Sequence, residues 1–313
     1  MKNLLTALAL LFGCCANCAA SDWHMVNVNT TSQGDAHLIT DSGVNTLIDA
    51  GQFHLARTEL VPYLRRQGVR TIHHFYISHP HTDHYSGLWA IMAAGIKVEN
   101  IYHNRLEPEI SDFNYKPDAY NSMLESARRN GAQIHNVKKG HKVEYGKTEI
   151  KILLSSKGHG HGSVNDYSLV MRVVSNGVRI LFTGDLNYKA GQMLCGDESM
   201  KADIMKVPHH GVTGIAPDCF FDTVDASLLM YPSTRVLWNH PRGKQARDWT
   251  MESKTMYCHN GLNGNVVVNL SNGRATPRSE ESTPRCSAIQ AKEYAPDFDV
   301  KSLAHIYMLL LDE

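Results

Sequence analysis

The segment that decides the fold is Ser78-His79-Pro80-His81-Thr82-Asp83-His84-Tyr85-Ser86-Gly87. It places three imidazoles and one carboxylate within six positions, at the end of the β-rich run 71–78. Neutral imidazole and carboxylate are good ligands for Zn²⁺, and a catalytic zinc site uses about three protein ligands and a water. On a tight loop, residues two apart can converge on one ion while the adjacent Asp83 and His84 face a second. The spacing therefore predicts a metal centre with room for two ions.

The composition is that of an ordinary globular protein. The chain has 313 residues, 42% hydrophobic and 20% charged, with 23 Gly and 11 Pro, which excludes a mini-protein and wholesale disorder. Its 31 basic and 31 acidic side chains cancel, so no broad cationic surface for nucleic acid or an anionic membrane is expected. Histidine is the unusual residue, with 18 copies, several of them clustered. This enrichment without a charge bias points to metal chemistry or proton transfer.

The first twenty residues have the anatomy of a secretory signal peptide, which we assign to 1–20. A basic residue, Lys2, precedes an apolar run over 4–12 and a small-residue stretch that ends at Ala20. The segment 11–14 resembles a bacterial lipobox, which makes a lipid anchor at Cys14 an alternative outcome of processing. No later stretch approaches the roughly 20 apolar residues that a transmembrane helix needs. We therefore expect an exported protein that is periplasmic, secreted or lipid-anchored.

The periodicity of the remaining chain predicts a single domain over 21–275. Apolar runs of strand length lie at 24–28, 36–40, 46–50, 71–78, 150–154, 168–174, 178–183, 204–207, 226–230 and 266–270. Helical patterns lie at 55–67, 88–94 and 120–130. Strands in runs with helices between them favour a mixed α/β sandwich. A turn at Gly273 closes the regular pattern, and 276–313 is expected to be a C-terminal tail in which 303–311 has the pattern of a terminal helix.

Four cysteines lie beyond the signal segment, namely Cys195, Cys219, Cys258 and Cys286. An exported protein can form disulfides, but the wide spacing specifies none of the three pairings, and buried unpaired thiols are an equal alternative. The chain contains no Cys-x-x-Cys pair, so a cysteine-rich structural zinc site is not expected.

Three motifs together resemble the metallo-β-lactamase fold superfamily. The run His79 to His84 is similar to the superfamily's His-x-His-x-Asp-His motif, and two further motifs follow in the same order. They are Thr183-Gly184-Asp185 and Val207-Pro208-His209-His210-Gly211. The resemblance implies an α/β fold, the αββα sandwich of two mixed β-sheets flanked by helices, with the ligands on loops at one edge. It also implies that Asp185 bridges two metal ions.

The resemblance leaves the ligand between these motifs open. The segment 158–163, Gly-His-Gly-His-Gly-Ser, can be aligned with the superfamily's Gly-His-Thr-Pro-Gly-Ser motif, which makes His159 a candidate metal ligand. Other segments resemble the hydrolase domain of ComEC-type competence proteins and its free-standing relatives, namely 33–35, 47–51, 164–168, 209–211 and 239–241. In that branch an Asn-Asp-x-Ser segment occupies this place, so Asn165 and Asp166 are the alternative.

The late motif contains two adjacent histidines. Relatives with Val-Pro-Gly-His-Gly favour His210 as the ligand, and His209 serves instead if the strand ends one residue later. Both cannot be direct ligands from one regular strand, because a slip of one residue reverses the side-chain direction. Asp49 is expected to buttress a ligand from behind, where a carboxylate fixes the tautomer of an imidazole. His240 is a candidate substrate contact or proton donor.

These observations lead to the hypothesis of an exported metal-dependent hydrolase. One or two Zn²⁺ ions, with Mn²⁺ as an alternative, would lower the pKa of a bound water to about 7. Asp83 would orient or deprotonate that water, and Asp185 would bridge the ions. The ligands would be His79, His81, Asp83, His84, Asp185 and His210, with His159 and His209 as the open positions.

The substrate is the least defined part of the hypothesis. The ComEC-type resemblance implies a phosphodiester, either DNA or a small ester, and hence a phosphodiesterase or nuclease-like activity. Tight binding of a duplex needs clustered Lys and Arg, which the neutral net charge does not favour. The breadth of the superfamily keeps hydrolysis of a β-lactam or lactone as an alternative, because a fold does not fix a function. A metal-binding module without catalysis is the alternative from another class.

Overall fold

The computed structural model of the chain describes residues 20–106, 110, 112, 115–155, 163–212 and 214–293. Several expectations lie outside the described residues, namely the signal segment up to residue 19, the anchor at Cys14, the ligand His159 and the helix 303–311. Within the described part of the chain, no helix has the length and apolarity that crossing a bilayer requires.

Two mixed β-sheets form the centre of the fold. Their strands are β1 Ser21–Met25, β2 His37–Asp41, β3 Val44–Ile48, β4 Thr71–Tyr76, β5 Lys97–His103, β6 Gln133–Asn136, β7 Lys142–Tyr145, β8 Thr148–Leu154, β9 Val170–Ser175, β10 Val178–Phe182, β11 Ile204–Lys206, β12 Leu228–Tyr231, β13 Met256–His259, β14 Val266–Ser271, β15 Arg274–Ser279 and β16 Ile289–Gln290. The first sheet has the order β16-β15-β14-β1-β2-β3-β4-β5-β6, and the second has the order β13-β12-β11-β10-β9-β8-β7. Strands β3 to β6 and strands β10 to β13 run parallel, and the other neighbours are antiparallel.

The two sheets pack face to face through alternate residues of their strands. On β10, Val178, Ile180 and Phe182 point into the layer between the sheets, while Leu181 joins the core on the outer face. This is the period of two that a pleated strand imposes on its side chains. Trp23 of β1 is fully buried and packs edge-on against Phe182, with ring centroids 5.1 Å apart, so it joins the two sheets directly.

Helices cover the outer face of each sheet, which completes the αββα sandwich. The α-helices are α1 Phe53–Leu55, α2 Val61–Arg66, α3 Thr82–Tyr85, α4 Gly87–Ala93, α5 Pro117–Arg129, α6 Tyr188–Met193, α7 Asp218–Val224, α8 Arg235–Asn239, α9 Lys244–Glu252 and α10 Asn260–Asn263, with a π-helical turn, Ala56–Leu60, between α1 and α2. Short 3₁₀ turns span Val164–Tyr167, Glu198–Met200, Pro208–Gly211 and Pro241–Gly243. Buried side chains of α2, α4 and α5 pack on the first sheet, and those of α6, α7 and α9 pack on the second.

The parallel strands bring their carboxyl ends to one edge of the sandwich. Asp49 follows β3, the motif 79–84 follows β4, Asp185 follows β10, and the two late histidines follow β11. Ligand sites in open α/β sheets form outside the carboxyl ends of the strands. The strand order therefore places residues that are far apart in the sequence at a common edge.

Regular structure continues beyond the predicted boundary at residue 275. The prediction that the pattern closes at Gly273 is wrong, because β15 pairs along β14 from Arg274 to Ser279. Pro277 is accommodated because the two-residue strand β16 pairs only with Arg274 and Ala275, which leaves the rest of β15 at the sheet edge. The sheet thus extends to Gln290.

Two disulfides connect the four cysteines. Cys195, just after α6, pairs with Cys219 of α7, and Cys258 of β13 pairs with Cys286, three residues before β16. The alternative of unpaired thiols is therefore not what the structure shows. The second disulfide fastens the C-terminal segment, which leads into the edge of the first sheet, to the second sheet.

Candidate metal centre

Four imidazoles surround one carboxylate oxygen, Asp185 Oδ2. The Nε2 atoms of His84 and His210 lie 3.3 Å from this oxygen. The Nε2 atoms of His79 and His209 lie 4.0 Å from it. Asp185 is therefore at the centre of the cluster, where a carboxylate can contact more than one bound ion.

Asp83 approaches the same two imidazoles as Asp185. Its Oδ2 is 3.5 Å from Nε2 of His210 and 3.9 Å from Nε2 of His84. Ligand atoms of Asp83, His84 and His210 lie within 4.8 Å of one another, and so do those of His79, His84 and Asp185. Two three-ligand groups that share His84 thus lie side by side, an arrangement that can accept one ion or two.

The backbone at Gly184 sets the direction of Asp185. Gly184 has a φ of +52°, and a Cβ at this position would lie 2.7 Å from Ser168 Oγ and 2.8 Å from Ser168 Cβ. Only glycine fits, because a side chain has no room and this backbone conformation is unfavourable for other residues. The backbone N–H of Asp185 donates to Ser168 Oγ at 3.0 Å. In the Thr-Gly-Asp motif, Thr183 therefore follows the end of β10, Gly184 makes the tight turn, and Asp185 directs its carboxylate into the cluster.

Asp49 fixes the ring of His84 from behind. Asp49 Oδ2 lies 2.9 Å from His84 Nδ1, and because a carboxylate can only accept, Nδ1 carries the hydrogen. When the ring is neutral, the lone pair of His84 is therefore on Nε2, the atom that faces Asp185. Asp49 is itself held by the backbone N–H and the hydroxyl of Ser78, which donate to it at 2.8 and 2.7 Å.

Ser78 extends the same support to His79. Its hydroxyl donates to Asp49 and lies 3.1 Å from His79 Nδ1, where it can accept. The Nε2 of His79 then carries the lone pair, and it lies 3.1 Å from Nδ1 of His81. On its other side His81 approaches Asp112, with 3.6 Å between Nε2 and Oδ2. The structure therefore places His79 and His81 side by side at the flank of the cluster.

The two late histidines lie on a left-handed turn, not on a strand. Strand β11 ends at Lys206, and His209 and His210 have φ values of +48° and +53°. The strand argument that allowed only one of them therefore does not apply. His210 Nδ1 donates to Pro232 O at 3.0 Å and lies 3.0 Å from Asp35 Oδ1. Its Nε2 consequently faces the cluster.

His209 borders the predicted middle position. Its Nε2 lies 3.4 Å from Asn165 Nδ2, which places Asn165 at the rim of the cluster. Asn165 and Asp166 are both buried in the 3₁₀ turn Val164–Tyr167, which Ser163 caps. Since His159 lies outside the described residues, the assignment of the middle ligand stays a prediction.

Sequence reasoning missed the part that Lys206 and Asp35 play in the site. Lys206 Nζ lies 2.5 Å from Asp35 Oδ2 and 3.5 Å from Asp185 Oδ1, and it donates to Gly184 O at 2.7 Å. Both residues are 1% exposed. A signal was available in the apolar run 204–207, because a lysine in a buried strand is rare unless it is paired.

The carboxylates of the cluster stay ionised despite their burial. Burial opposes ionisation of Asp185, but His210, His84 and Lys206 outweigh it and hold the pKa of Asp185 well below its usual value. Burial is likewise outweighed at Asp35, where Lys206 and His210 hold the pKa well below its usual value. The site therefore contains fixed negative charge at neutral pH.

The imidazoles divide into two groups. Burial lowers the pKa of His84 and His210, but the carboxylates around them, Asp185 foremost, raise both pKa values well above the usual range. At His79 and His209 burial prevails, and it lowers the pKa of His79 well below the usual range and that of His209 to about 4. His84 and His210 are thus the positions that draw positive charge, as protons or as a metal ion.

The residues of the cluster fit a divalent metal. The Nε2 atoms of His84 and His210 are buried and make no hydrogen bond within the described part of the chain, although a carboxylate oxygen lies 3.3 Å from each. Buried polar atoms left without a hydrogen bond are uncommon and call for an explanation. Imidazole nitrogens and carboxylate oxygens together form a typical ligand set for zinc and similar ions.

His240 is not brought into this cluster by the described contacts. It is exposed, and its Nδ1 accepts a hydrogen bond from the backbone N–H of Arg242 at 3.2 Å. It directly follows α8, of which Val236 and Leu237 line a cavity next to Asp83. Its role as a substrate contact or proton donor therefore stays a prediction.

The chain is similar to one protein family and to proteins of two bacteria. The family model described as Metallo-beta-lactamase superfamily matches residues 29–216. ComE operon protein 3 of Bacillus subtilis (strain 168) is 26% identical over 195 residues, which cover 61% of this chain and 24% of that protein. Competence protein ComA of Neisseria gonorrhoeae is 26% identical over 210 residues, which cover 66% of this chain and 27% of that protein. The chain thus matches about a quarter of the length of these relatives.

A solved structure shows the same architecture. The metallo-beta-lactamase fold protein YhfI from Bacillus subtilis superposes with a TM-score of 0.53 at 12% identity, over 76% of this chain and 95% of that chain. At this identity the similarity concerns the fold alone. The predicted αββα sandwich of two mixed sheets is confirmed.

Proposed function

Because this chain belongs to the metallo-beta-lactamase superfamily, we propose that it is a metal-dependent phosphodiesterase that uses one or two zinc ions. The observation that carries the proposal is the convergence of His79, His84 and His210 on Asp185 Oδ2, with Asp83 Oδ2 3.5 Å from His210 Nε2. The phosphodiester rests on the resemblance of segments 33–35, 47–51 and 164–168 to ComEC-type hydrolase domains.

A divalent ion in this cluster would supply a water of lowered pKa and would polarise the phosphoryl oxygen. The residues of the chain supply the positions. Lys206 engages Asp185 Oδ1, which leaves Oδ2 to the imidazoles. Asp49 holds the hydrogen of His84 on Nδ1, so that Nε2 is the nitrogen left for an ion. These contacts hold the ligand atoms before an ion arrives, and such preorganisation is what a catalytic site requires.

Asp83 is the residue that meets the attacking water. Its side chain is 11% exposed, more than that of Asp185 at 2%, so it lies at the mouth of the cluster. Burial opposes ionisation of Asp83, but His84 and His210 lower its pKa, so the ionised carboxylate is able to accept a hydrogen bond from the attacking water. In the reaction, the water oxygen forms a new P–O bond while the P–O bond to one ester oxygen breaks. The departing oxygen takes up a proton that the water gives up, and a phosphomonoester and an alcohol result.

Metal content and turnover, measured together, test the proposal. The mature protein is purified without chelator, its zinc and manganese are determined by elemental analysis, and release of p-nitrophenol from bis-p-nitrophenyl phosphate is followed. We expect one to two ions per chain and a turnover that EDTA abolishes and zinc or manganese restores. Asp185→Ala should lose metal and activity while the circular dichroism spectrum is kept, and Asp118→Ala, an exposed aspartate on α5, should match the parent.

Two results would contradict the proposal. Full turnover by Asp185→Ala in a preparation of verified metal content would show that Asp185 is not part of the catalytic site. If the protein turned over a chromogenic cephalosporin or a lactone but not the phosphodiester, it would still be a hydrolase, but the proposed phosphodiester substrate would be wrong.

We also propose that the protein is exported. The two disulfides require an oxidising compartment to form, and the segment 1–20 has the anatomy of a signal peptide. Fractionation of a bacterial host that expresses the full chain should place the processed protein outside the cytoplasm. Deletion of 2–20 should leave the chain in the cytoplasm with free thiols, which a maleimide gel shift detects.

A further inference from the structure

A groove opens next to Asp83 at the mouth of the cluster. Its inner part is a cavity of about 460 Å³ between the loop 30–33 on one side and Thr234, Val236 and Leu237 on the other. This volume lies within the range of pockets that hold small molecules. The cavity is contiguous with the metal centre because Asp83 is part of its lining.

The wall formed by the loop 30–33 is held in place at its base. The Asn29 side chain accepts from Gly34 N at 2.9 Å and donates to Gly34 O at 3.0 Å, so it closes the loop. The amide of Gln33 donates to Asp83 Oδ2 at 3.4 Å, and Gln52 donates to Gln33 O at 3.2 Å. The wall is therefore preformed and connected to the metal centre.

The polar groups of this wall are uncharged. They are the hydroxyl and amide groups of Thr30, Thr31, Ser32 and Gln33, and three further lining residues outside this loop, Gln52, Thr82 and Thr234, are also uncharged. Among the described residues that line the cavity, Asp83 is the one with a charge, and none is Lys or Arg. Hydroxyls and amides both donate and accept hydrogen bonds, so they match the hydroxyls of a neutral ligand.

The groove continues away from the metal into a second cavity of about 370 Å³, which shares Thr30, Thr234 and Val236 with the first. Val236 is 75% exposed and offers an apolar surface where the two cavities meet. The far end carries the carboxylates of Glu280 and Glu281. Arg235 is the one arginine among the described residues that line this cavity, and it lies 3.9 Å from Glu281, so its charge is partly offset.

This charge pattern discriminates between phosphodiesters. A nucleic-acid strand carries a phosphate at every nucleotide, and proteins meet these phosphates with Lys, Arg and other donors. A strand along this groove would place its next phosphates against uncharged groups and then against glutamates. A diester with one phosphate and a neutral flank carrying hydroxyls meets no such repulsion.

We propose that the groove beside Asp83 binds the neutral, hydroxyl-bearing alcohol of a small phosphodiester, of the glycerol or sugar ester class, and that it disfavours polynucleotides. The inference rests on the proposed phosphodiesterase and narrows its substrate. The hydroxyls of the alcohol bond to the side chains of the wall, and its carbon skeleton lies against Val236.

Three esters with one common leaving group test the inference. The three substrates are the p-nitrophenyl esters of glycerol phosphate, of thymidine 5′-phosphate and of a dinucleotide 5′-phosphate. All three release p-nitrophenol, and they differ in the size and charge of the other group on the phosphate. We expect kcat/KM for the glycerol ester to exceed that for the dinucleotide ester about tenfold or more, because like charges in a binding groove are costly. Bis-p-nitrophenyl phosphate serves as the general substrate.

A charge introduced into the wall tests the same point on the protein. Thr31→Lys should raise the ratio of dinucleotide to glycerol turnover, and Thr31→Glu should lower it. Asn121→Lys, on the exposed face of α5, adds the same charge outside the groove and should leave the ratio unchanged. The inference would be overturned if the three esters were turned over equally, or if the ratio of dinucleotide to glycerol turnover did not change with the charge at Thr31. Turnover of bis-p-nitrophenyl phosphate in the same preparations would still support the phosphodiesterase. Loss of all four activities in metal-replete protein would instead reject the proposed function.

Discussion

Lys206 Nζ lies 2.5 Å from Asp35 Oδ2, and both side chains are 1% exposed. This pair adjoins the cluster of histidines and aspartates, because Lys206 also approaches Asp185 and Asp35 also approaches His210. A cation and an anion that are both removed from water must compensate each other, since the loss of hydration is costly for each. The pair therefore couples the stability of the fold to the arrangement of the ligands.

Removal of the ammonium should destabilise the protein strongly. Lys206→Met keeps the length of the side chain but leaves Asp35 and Asp185 without their cation. We expect the free energy of unfolding of the metal-free protein to fall by about 3 to 5 kcal/mol, the range for breaking a buried ion pair. Urea unfolding monitored by tryptophan fluorescence measures the change. Lys201→Met, which removes an exposed ion pair with Glu198, is the matched control and should have little effect.

Replacement of Asp49 should weaken metal binding, although it removes none of the ligand atoms that face the cluster. Asp49→Asn retains the shape, but the amide no longer compels His84 Nδ1 to carry the hydrogen. Loss of such a supporting carboxylate typically reduces metal affinity about 10- to 100-fold. Zinc titration against a competing chromogenic chelator measures the affinity. Unchanged affinity in Asp49→Asn, with Asp118→Asn as the exposed control, would show that the tautomer of His84 is fixed by other groups.

The fold and much of the cluster were accessible from the sequence because both depend on local patterns. The motif 79–84 occupies consecutive positions after β4, and Thr183-Gly184-Asp185 follows β10 in the same way. Strand ends of this kind are visible as apolar runs that stop at polar residues. The strand and helix patterns indicated a mixed α/β sandwich, and the resemblance that these motifs carry implied the αββα arrangement, which the comparison with the family confirms.

Other features depend on contacts between distant segments. Asp35 lies two residues before β2 of the first sheet and Lys206 ends β11 of the second, so their pairing follows from the packing of the two sheets, which no local pattern shows. The positions of His209 and His210 depend on a left-handed turn that residues other than glycine rarely adopt. Strand β15 was missed because its polar sequence and Pro277 resemble a loop, and its pairing with β14 alone makes it a strand.

The pH dependence of stability should report on one buried histidine away from the cluster. His259 is fully buried, with its ring 5.8 Å from that of Tyr231 and 4.9 Å from that of Trp238. Burial lowers the pKa of His259 to about 3. The unfolded chain, with a pKa of about 6.5, binds more protons than the folded one between these values. The folded state therefore loses stability as the pH falls below about 6.5.

His259→Phe removes this titration and keeps a planar ring. Between pH 7.5 and 5 we expect the parent to lose about 2 kcal/mol more of unfolding free energy than the variant does. Urea unfolding with EDTA in every sample makes the comparison, because EDTA removes the contribution of the metal. His54→Gln, an exposed position, should follow the parent. Parallel pH profiles of the parent and His259→Phe would show that His259 is not buried as a neutral ring.

The disulfide between Cys258 and Cys286 should stabilise the C-terminal edge of the first sheet. It closes a loop with a sequence separation of 28 residues, and a loop of this size implies about 3.5 kcal/mol from restriction of the unfolded chain. In the double variant Cys258→Ala, Cys286→Ala, the free energy of unfolding should fall by about this amount. Hydrogen exchange should increase most in β15 and β16, because the short strand β16 pairs only with Arg274 and Ala275. The matched variant Cys195→Ala, Cys219→Ala should leave exchange in β15 and β16 unchanged, since its disulfide connects α6 and α7 on the other face of the molecule. Equal exchange in β15 and β16 for the two variants would contradict a local role for Cys258–Cys286.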